Sequence, residues 1–283
     1  MLRLLPLLAC ALLCGCTTLQ PAPTRTHTDH DITKHLVKEM TALREAGELT
    51  SSDILAEQLK RQRHSLQLPV SATGSAQDPA ELYARSEAGV IIVANLYKCG
   101  RCERWHTNAA SGFIIHSDGI AVTNYHVIEN ERENMLGAMT VDGRTVAISE
   151  VLAANKESDI AVIKLAGDNF TALPLSQGDP VGTPVIVISH PVQRFYTLST
   201  GIISRYFTTR KPGTHSQRMS ITADFAKGSS GAPVINPYGE VTGVVSSTSS
   251  IYYNKKEGVD VNLQMVIKSC IPAQSIRDLL KVD

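Results

Sequence analysis

The chain has 283 residues, enough for one large domain or two modest ones, and with 43% hydrophobic residues it can fill a substantial core. Lys plus Arg and Asp plus Glu number 27 each, so no net field is available to hold a polyphosphate, and the one dense basic run is Lys60-Arg61-Gln62-Arg63-His64. Nucleic acid is excluded as an expected partner. Aromatic residues make up only 5%, and the second half is rich in Val, Ile, Thr, Ser and Gly, which disfavours a helical bundle.

Met1 to Leu13 carries one cation, Arg3, followed by an apolar run too short to anchor a chain across a bilayer, the pattern of a signal peptide. Leu13-Cys14-Gly15-Cys16 resembles a bacterial lipobox. That resemblance makes residues 1–15 a removable leader and Cys16 the lipidated first residue of the mature protein. A diacylated, N-acylated cysteine is a stable membrane anchor, since each buried methylene contributes ~0.8 kcal/mol. Thr17 stands where an Asp would signal inner-membrane retention, so the expected location is the outer membrane, facing the periplasm. The alternative is an ordinary secretory signal with an incidental cysteine. Both put the protein in the bacterial cell envelope or beyond.

Residues 16–30, rich in Thr, Pro and His, form a tether. Residues 31–77 form a helical segment and linker. Ile32, Leu36, Met40 and Leu43 recur at helical spacing up to Gly47, and a second helix starts at Ser51-Ser52-Asp53 and carries Ile54, Leu55 and Leu59. Packing on the following domain, covering its cleft and self-association are all open to this segment. Asp78-Pro79-Ala80-Glu81 has the cap, N1 proline and N3 glutamate of a helix start, and the main domain is set at 78–283.

From Val90 the pattern changes to short β-rich runs: 90–96, 112–115, 120–123, 145–152, 160–165, 185–188, 199–204, 219–222, 232–235 and 241–246. Turn signals such as Ser117-Asp118-Gly119 and Asn236-Pro237-Tyr238-Gly239 separate them, which predicts an all-β barrel or sandwich. A helix opened by Pro272 follows, with Ile276, Leu279 and Leu280 facing inward. No internal repeat is evident.

Three phrases carry chemistry. Lys227-Gly228-Ser229-Ser230-Gly231-Ala232-Pro233 suits a tight loop that offers a hydroxyl on one side and N–H groups on the other, the nucleophile and oxyanion hole of acyl transfer. Thr123-Asn124-Tyr125-His126-Val127 and Ser158-Asp159-Ile160-Ala161-Val162 supply a base and its orienting carboxylate. The order His, Asp, Ser differs from that of α/β-hydrolases and subtilisins. With Ser111-Gly112-Phe113, Gly178-Asp179-Pro180, His190-Pro191, Thr200-Gly201-Ile202 and Gly243-Val244-Val245-Ser246, these phrases resemble the trypsin-like (chymotrypsin-fold) serine peptidases, in their bacterial Deg/HtrA-type branch, over about residues 88–282.

The resemblance implies two six-stranded β-barrels with an N-terminal helical segment and a C-terminal helix, and a triad in the cleft between the barrels. His126 is then the general base, Asp159 its orienter and Ser230 the nucleophile, and the Gly228-Ser229-Ser230 loop is the oxyanion hole, with the Gly228 and Ser230 N–H groups as donors. The expected activity is cleavage of protein or peptide substrates, with no cofactor and no metal. Ser229 replaces the aspartate that pairs with a newly cut N-terminus in trypsin-like zymogens, so such activation is not expected. Asp283 follows the terminal helix directly, and a PDZ module with its gating is likewise not expected.

Asp224 lies six residues before Ser230, where trypsin places the carboxylate that selects a basic P1 side chain; a loop-stabilising acceptor is the other reading. Ser246, Ser247 and Thr248 are expected to pair with substrate backbone, Thr248 narrowing the pocket. Cys99-Gly100-Arg101-Cys102, with His106 and Cys270, could form a four-ligand metal site; a disulfide within the pair, or from one of them to Cys270, suits an oxidising compartment better. His116, His190 and His215 read as structural or exposed. The competing functions are a non-catalytic lipoprotein that uses a protease-like scaffold for binding, and an esterase. Composition gives no oligomeric state.

Overall fold

The structure is a computed structural model that describes residues 25–68, 74–129, 135–211 and 214–280. The leader, Cys16 and most of the tether lie outside the described residues.

Twelve strands close into two six-stranded antiparallel barrels. The first consists of β1 (Val90–Lys98), β2 (Trp105–His116), β3 (Ile120–Thr123), β4 (Met135–Met139), β5 (Thr145–Asn155) and β6 (Ile160–Leu165), in the ring order β1-β2-β3-β6-β5-β4. The second consists of β7 (Pro184–Ser189), β8 (Thr197–Lys211), β9 (Thr214–Ile221), β10 (Pro233–Ile235), β11 (Val241–Lys256) and β12 (Val259–Pro272), in the ring order β7-β8-β9-β12-β11-β10. The two orders are the same pattern displaced by six strands, a repetition in topology that the sequence does not carry.

Strand patterns follow from what each face meets. In β1, Ile91 and Val93 point into the first barrel while Ile92 and Ala94 join a layer outside it, so both faces are buried and the run is continuously apolar. The same division holds in β7, where Val185 and Val187 fill the second barrel while Ile186 and Ile188 meet that outer layer. The layer extends through Phe113 and Val162 to Leu279 and Leu280, and it welds the two barrels together.

Helix α1 (Asp29–Glu45) buries Leu36 and Met40 completely on the outside of the first barrel, and Gly47 ends it at φ 72°. Burying each such side chain is worth about 1.5–3 kcal/mol. Helix α2 (Ser52–Gln58) buries Leu55 and Leu59 against the same barrel, but Ile54 faces solvent. Helix α3 (Pro79–Ser86) starts in a full capping box: Asp78 Oδ1 accepts from the Ala80 and Glu81 N–H groups, and Glu81 accepts from the Asp78 N–H. A short helix α4 (Tyr125–Ile128) follows β3, and α5 (Gln274–Leu280) closes the described chain.

Candidate active site

His126 comes from the single turn of α4, directly after β3, and Asp159 from the turn before β6. Asp159 adopts φ 61°, a left-handed conformation that an Asp tolerates better than most residues. Its carbonyl is pinned by the Asn124 side chain at 2.9 Å and the Tyr125 N–H at 3.2 Å, which ties the two turns to one another.

Asp159 Oδ1 and Oδ2 lie 2.9 and 3.0 Å from His126 Nδ1, and Oδ1 also accepts the His126 backbone N–H at 3.1 Å. Oδ2 accepts from Ser246 Oγ at 2.8 Å. A carboxylate can only accept, so the imidazole proton sits on Nδ1 and the Nε2 lone pair is left for chemistry. The hydrogen bond that Nδ1–H donates to Asp159 raises the His126 pKa above its ordinary value, against the opposing pull of burial. Ser246 reaches this carboxylate from the second barrel, a role its expected place in the substrate-pairing strand did not indicate.

Ser230 sits in a loop fixed from both barrels. The Ser111 N–H donates to Ser230 O at 2.9 Å, and Ser111 Oγ donates to Gly228 O at 2.9 Å. Gly228 and Gly231 have φ of 97° and 87°. A Cβ on Gly231 would lie 2.2 Å from Ser111 O and 2.4 Å from Thr123 Oγ1, so only glycine fits there. Ser229 is fully buried and donates to Ser189 Oγ at 3.0 Å. The N–H groups of Gly228 and Ser230 have no hydrogen-bond partner among the described residues and remain free as donors. Ser230 Oγ is 3.5 Å from Ser246 O, and no hydrogen bond joins it to His126. Such contacts commonly tighten only when substrate docks.

Beside Ser230 lies a cavity of about 200 Å³ lined by Phe225, Ala226, Lys227, Val245, Ser246, Ser247 and Thr248. Asp224 does not line it. Its side chain is 89% exposed and pairs with Lys268 Nζ at 2.6 Å, while its carbonyl accepts from Ser199 Oγ. A second cavity of about 610 Å³ spans the cleft at His126 and Asp159 and includes Arg218 of β9, a residue the sequence did not single out. Its guanidinium is held by Glu157 O at 3.0 Å and Gln217 O at 3.1 Å. No residue of α1 or α2 lines either cavity.

His190 is buried and neutral: Nδ1 accepts from the Tyr196 N–H at 3.1 Å, so Nε2 carries the proton to Ile91 O at 3.2 Å. Burial lowers its pKa to about 3. It is structural, and His116 stays within hydrogen-bond reach of its own turn at Asp118; the His215 side chain lies outside the described set. Cys99, Cys102 and Cys270 are all free. Cys270 is sealed in the second barrel's core, so it neither joins the other two cysteines in a four-ligand set nor pairs with either of them.

With this geometry the fold is that of two chymotrypsin-like barrels with a cleft between them. The sequence model of the trypsin-like peptidase domain matches residues 110–244. The chain is 33% identical over 138 residues to the DegP-like periplasmic serine endoprotease of Halomonas elongata, covering 48% of this chain and 28% of that one. It is 32% identical over 142 residues to the magnetosome formation protease MamE of Paramagnetospirillum magneticum, covering 48% of this chain and 20% of that one. Among solved structures, the HtrA-type protease AlgW with a decapeptide superposes with a TM-score of 0.57 at 19% identity, over 71% of this chain and 66% of the other. The chain thus spans less than a third of the length of these two sequence relatives, and the structural likeness establishes the shared fold.

Proposed function

We propose that the chain is a serine endopeptidase in which Ser230 Oγ attacks the substrate carbonyl, His126 Nε2 takes its proton and later returns it to the leaving amine, and Asp159 holds the imidazolium. The developing oxyanion is received by the Gly228 and Ser230 N–H groups. The observation that carries this reading is the His126 to Asp159 contact at 2.9 Å, which puts the imidazole proton on Nδ1 and leaves the Nε2 lone pair free, while Ser246 bonds to Asp159 through its hydroxyl and lies 3.5 Å from Ser230 Oγ through its carbonyl. The serine endoproteases among its relatives support it independently.

Substrate backbone adds along residues 246–248 of β11. Strand β10 pairs with β11 only at Val241–Val244, whereas β12 continues on the other edge, so that stretch keeps one edge open. The P1 side chain is not selected for positive charge: among the described residues no carboxylate lines the cavity beside Ser230, and Asp224 is engaged by Lys268 outside it. The enzyme works in the bacterial envelope, tethered to the outer membrane through lipidated Cys16, a reading that rests on the lipobox-like Leu13-Cys14-Gly15-Cys16 and the periplasmic relatives.

A fluorophosphonate probe tests the activity directly. Wild-type protein is expected to label and Ser230→Ala to stay unlabelled; folded wild-type protein that never labels would refute an activated nucleophile.

A further inference from the structure

The tip of the β1–β2 hairpin gathers three soft or borderline ligands that the proposed proteolysis does not use. Lys98 pairs with Trp105 and Tyr97 with His106, so residues 99–104 form a short loop, and Gly100 at φ 71° lets the loop turn between the two cysteines. Cys99 Sγ lies 3.4 Å from Cys102 Sγ, and Cys102 Sγ lies 3.1 Å from His106 Nε2. All three ligand atoms fall within 4.8 Å of one another. They are supplied by eight consecutive residues in a Cys-x2-Cys-x3-His spacing, so no distant element has to move to bring them together.

These distances discriminate between the two chemistries open to the pair. A disulfide needs its sulfurs about 2.05 Å apart. Tetrahedral coordination with metal–sulfur bonds of about 2.3 Å and metal–nitrogen bonds of about 2.0–2.1 Å needs S···S of roughly 3.8 Å and S···N of roughly 3.5 Å. The Cys99–Cys102 and Cys102–His106 separations each fall about 0.4 Å short of the second arrangement, the S···S separation is more than 1 Å beyond the first, and Cys99 Sγ lies within 4.8 Å of His106 Nε2. His106 would also have no part in a disulfide, yet its Nε2 points at Cys102. The loop is cationic, with Lys98, Arg101 and Arg104 against Glu103, which suits two thiolates.

We propose that Cys99 Sγ, Cys102 Sγ and His106 Nε2 bind one zinc-class divalent ion, with the fourth position open to solvent or an exogenous ligand. Two thiol protons leave to solvent on binding, so the site as loaded is charge-neutral and its affinity rises with pH. Strand β2 leads from His106 to Ser111, whose N–H and hydroxyl hold the Ser230 loop, so the ion fixes the outer end of a strand that borders the cleft.

The test uses reduced, metal-stripped full-length protein carrying Ser230→Ala, which prevents self-cleavage and makes the result independent of the proteolytic reading. Titration with Co2+ is expected to give thiolate-to-cobalt absorption at one ion per loop, with Zn2+ displacing it. Cys99→Ser, Cys102→Ser and His106→Ala should each weaken binding by roughly 100-fold or more, since even loss of a supporting outer-shell group costs 10–100-fold. Cys270→Ala should leave binding unchanged, and circular dichroism checks that every variant is folded. The N-terminal cysteines are the same in all of them. Folded variants that bind as tightly as the parent would overturn the site, as would protein recovered from the periplasm with Cys99 and Cys102 joined and no metal bound.

Discussion

The two barrels share one strand order and divide the work unequally. The first is sheathed: α1 covers its outside, Leu55 and Leu59 pack into its interior cluster, β1 is buried on both faces, and the His126 and Asp159 turns are cross-linked by Asn124 and Tyr125. The second runs past its own ring, where β11 and β12 extend into a hairpin that exposes Ile251, Tyr253, Leu263 and Met265. The same topology therefore yields a covered half that holds the His126 to Asp159 pair and an open half that carries the Ser230 loop, the cavity beside it and a free strand edge. What sets function is where each ring is covered or left bare, not the ring itself.

The sharpest way to break this division is Asp159→Asn, which leaves the first barrel's packing intact but favours the wrong imidazole tautomer. It should lower kcat by about 10^4-fold with little change in KM, measured on a peptide substrate. Gly231→Ala strikes the seam between the barrels. With a Cβ forced against Ser111 O and Thr123 Oγ1 at positive φ, thermal denaturation should show a loss of roughly 3 kcal/mol.

Ser246→Ala removes the second barrel's only hydrogen bond to the Asp159 carboxylate among the described residues, a bond to a charged group worth about 1.5–3 kcal/mol. The expected result is roughly tenfold slower turnover. Because the carboxylate then pulls harder on the imidazolium, whose pKa Asp159 already raises in the parent, the acid limb of kcat/KM should move to higher pH.

A last contrast sets the two histidines against one another through stability. His190, with its folded pKa near 3, contributes stability that is complete above the unfolded value of about 6.5 and is lost as pH falls toward 3. The slope is at most ~1.4 kcal/mol per pH unit. His126, with its pKa raised, contributes in the opposite sense: its share is complete below about 6.5 and fades as pH rises through the folded value. Denaturant melts of His190→Gln against the parent should flatten the acid slope, and a slope that persists would assign it elsewhere.

Legibility in the sequence followed burial. The runs of β1, β6 and β7 were plain because both faces of these strands are covered, which makes them continuously apolar. Strand β4 was missed because Met135-Leu136-Gly137-Ala138-Met139 has weak β-propensity, and Gly137 is there to clear Met40 of α1, with a Cβ only 3.1 Å from its methyl. Strand β12 was missed, and β8 and β11 were read short, because their outer parts stand in solvent and carry polar residues. The site phrases containing His126, Asp159 and Ser230 were legible as local motifs. Asp224 and Ser246 were not fully so: spacing suggested a pocket carboxylate and a substrate edge, while pairing with Lys268 and with Asp159 depends on chain brought together from 44 and 87 residues away.

The bonds from Ser246 to Asp159 and from Ser111 to the Ser230 loop cross from one barrel to the other. On the proposed reading neither barrel alone holds a complete site, so reactivity at Ser230 would gauge docking as well as chemistry. A chain nicked in the connection between β6 and β7 would form a two-fragment complementation pair. Its recovered probe labelling would report the affinity of one half for the other.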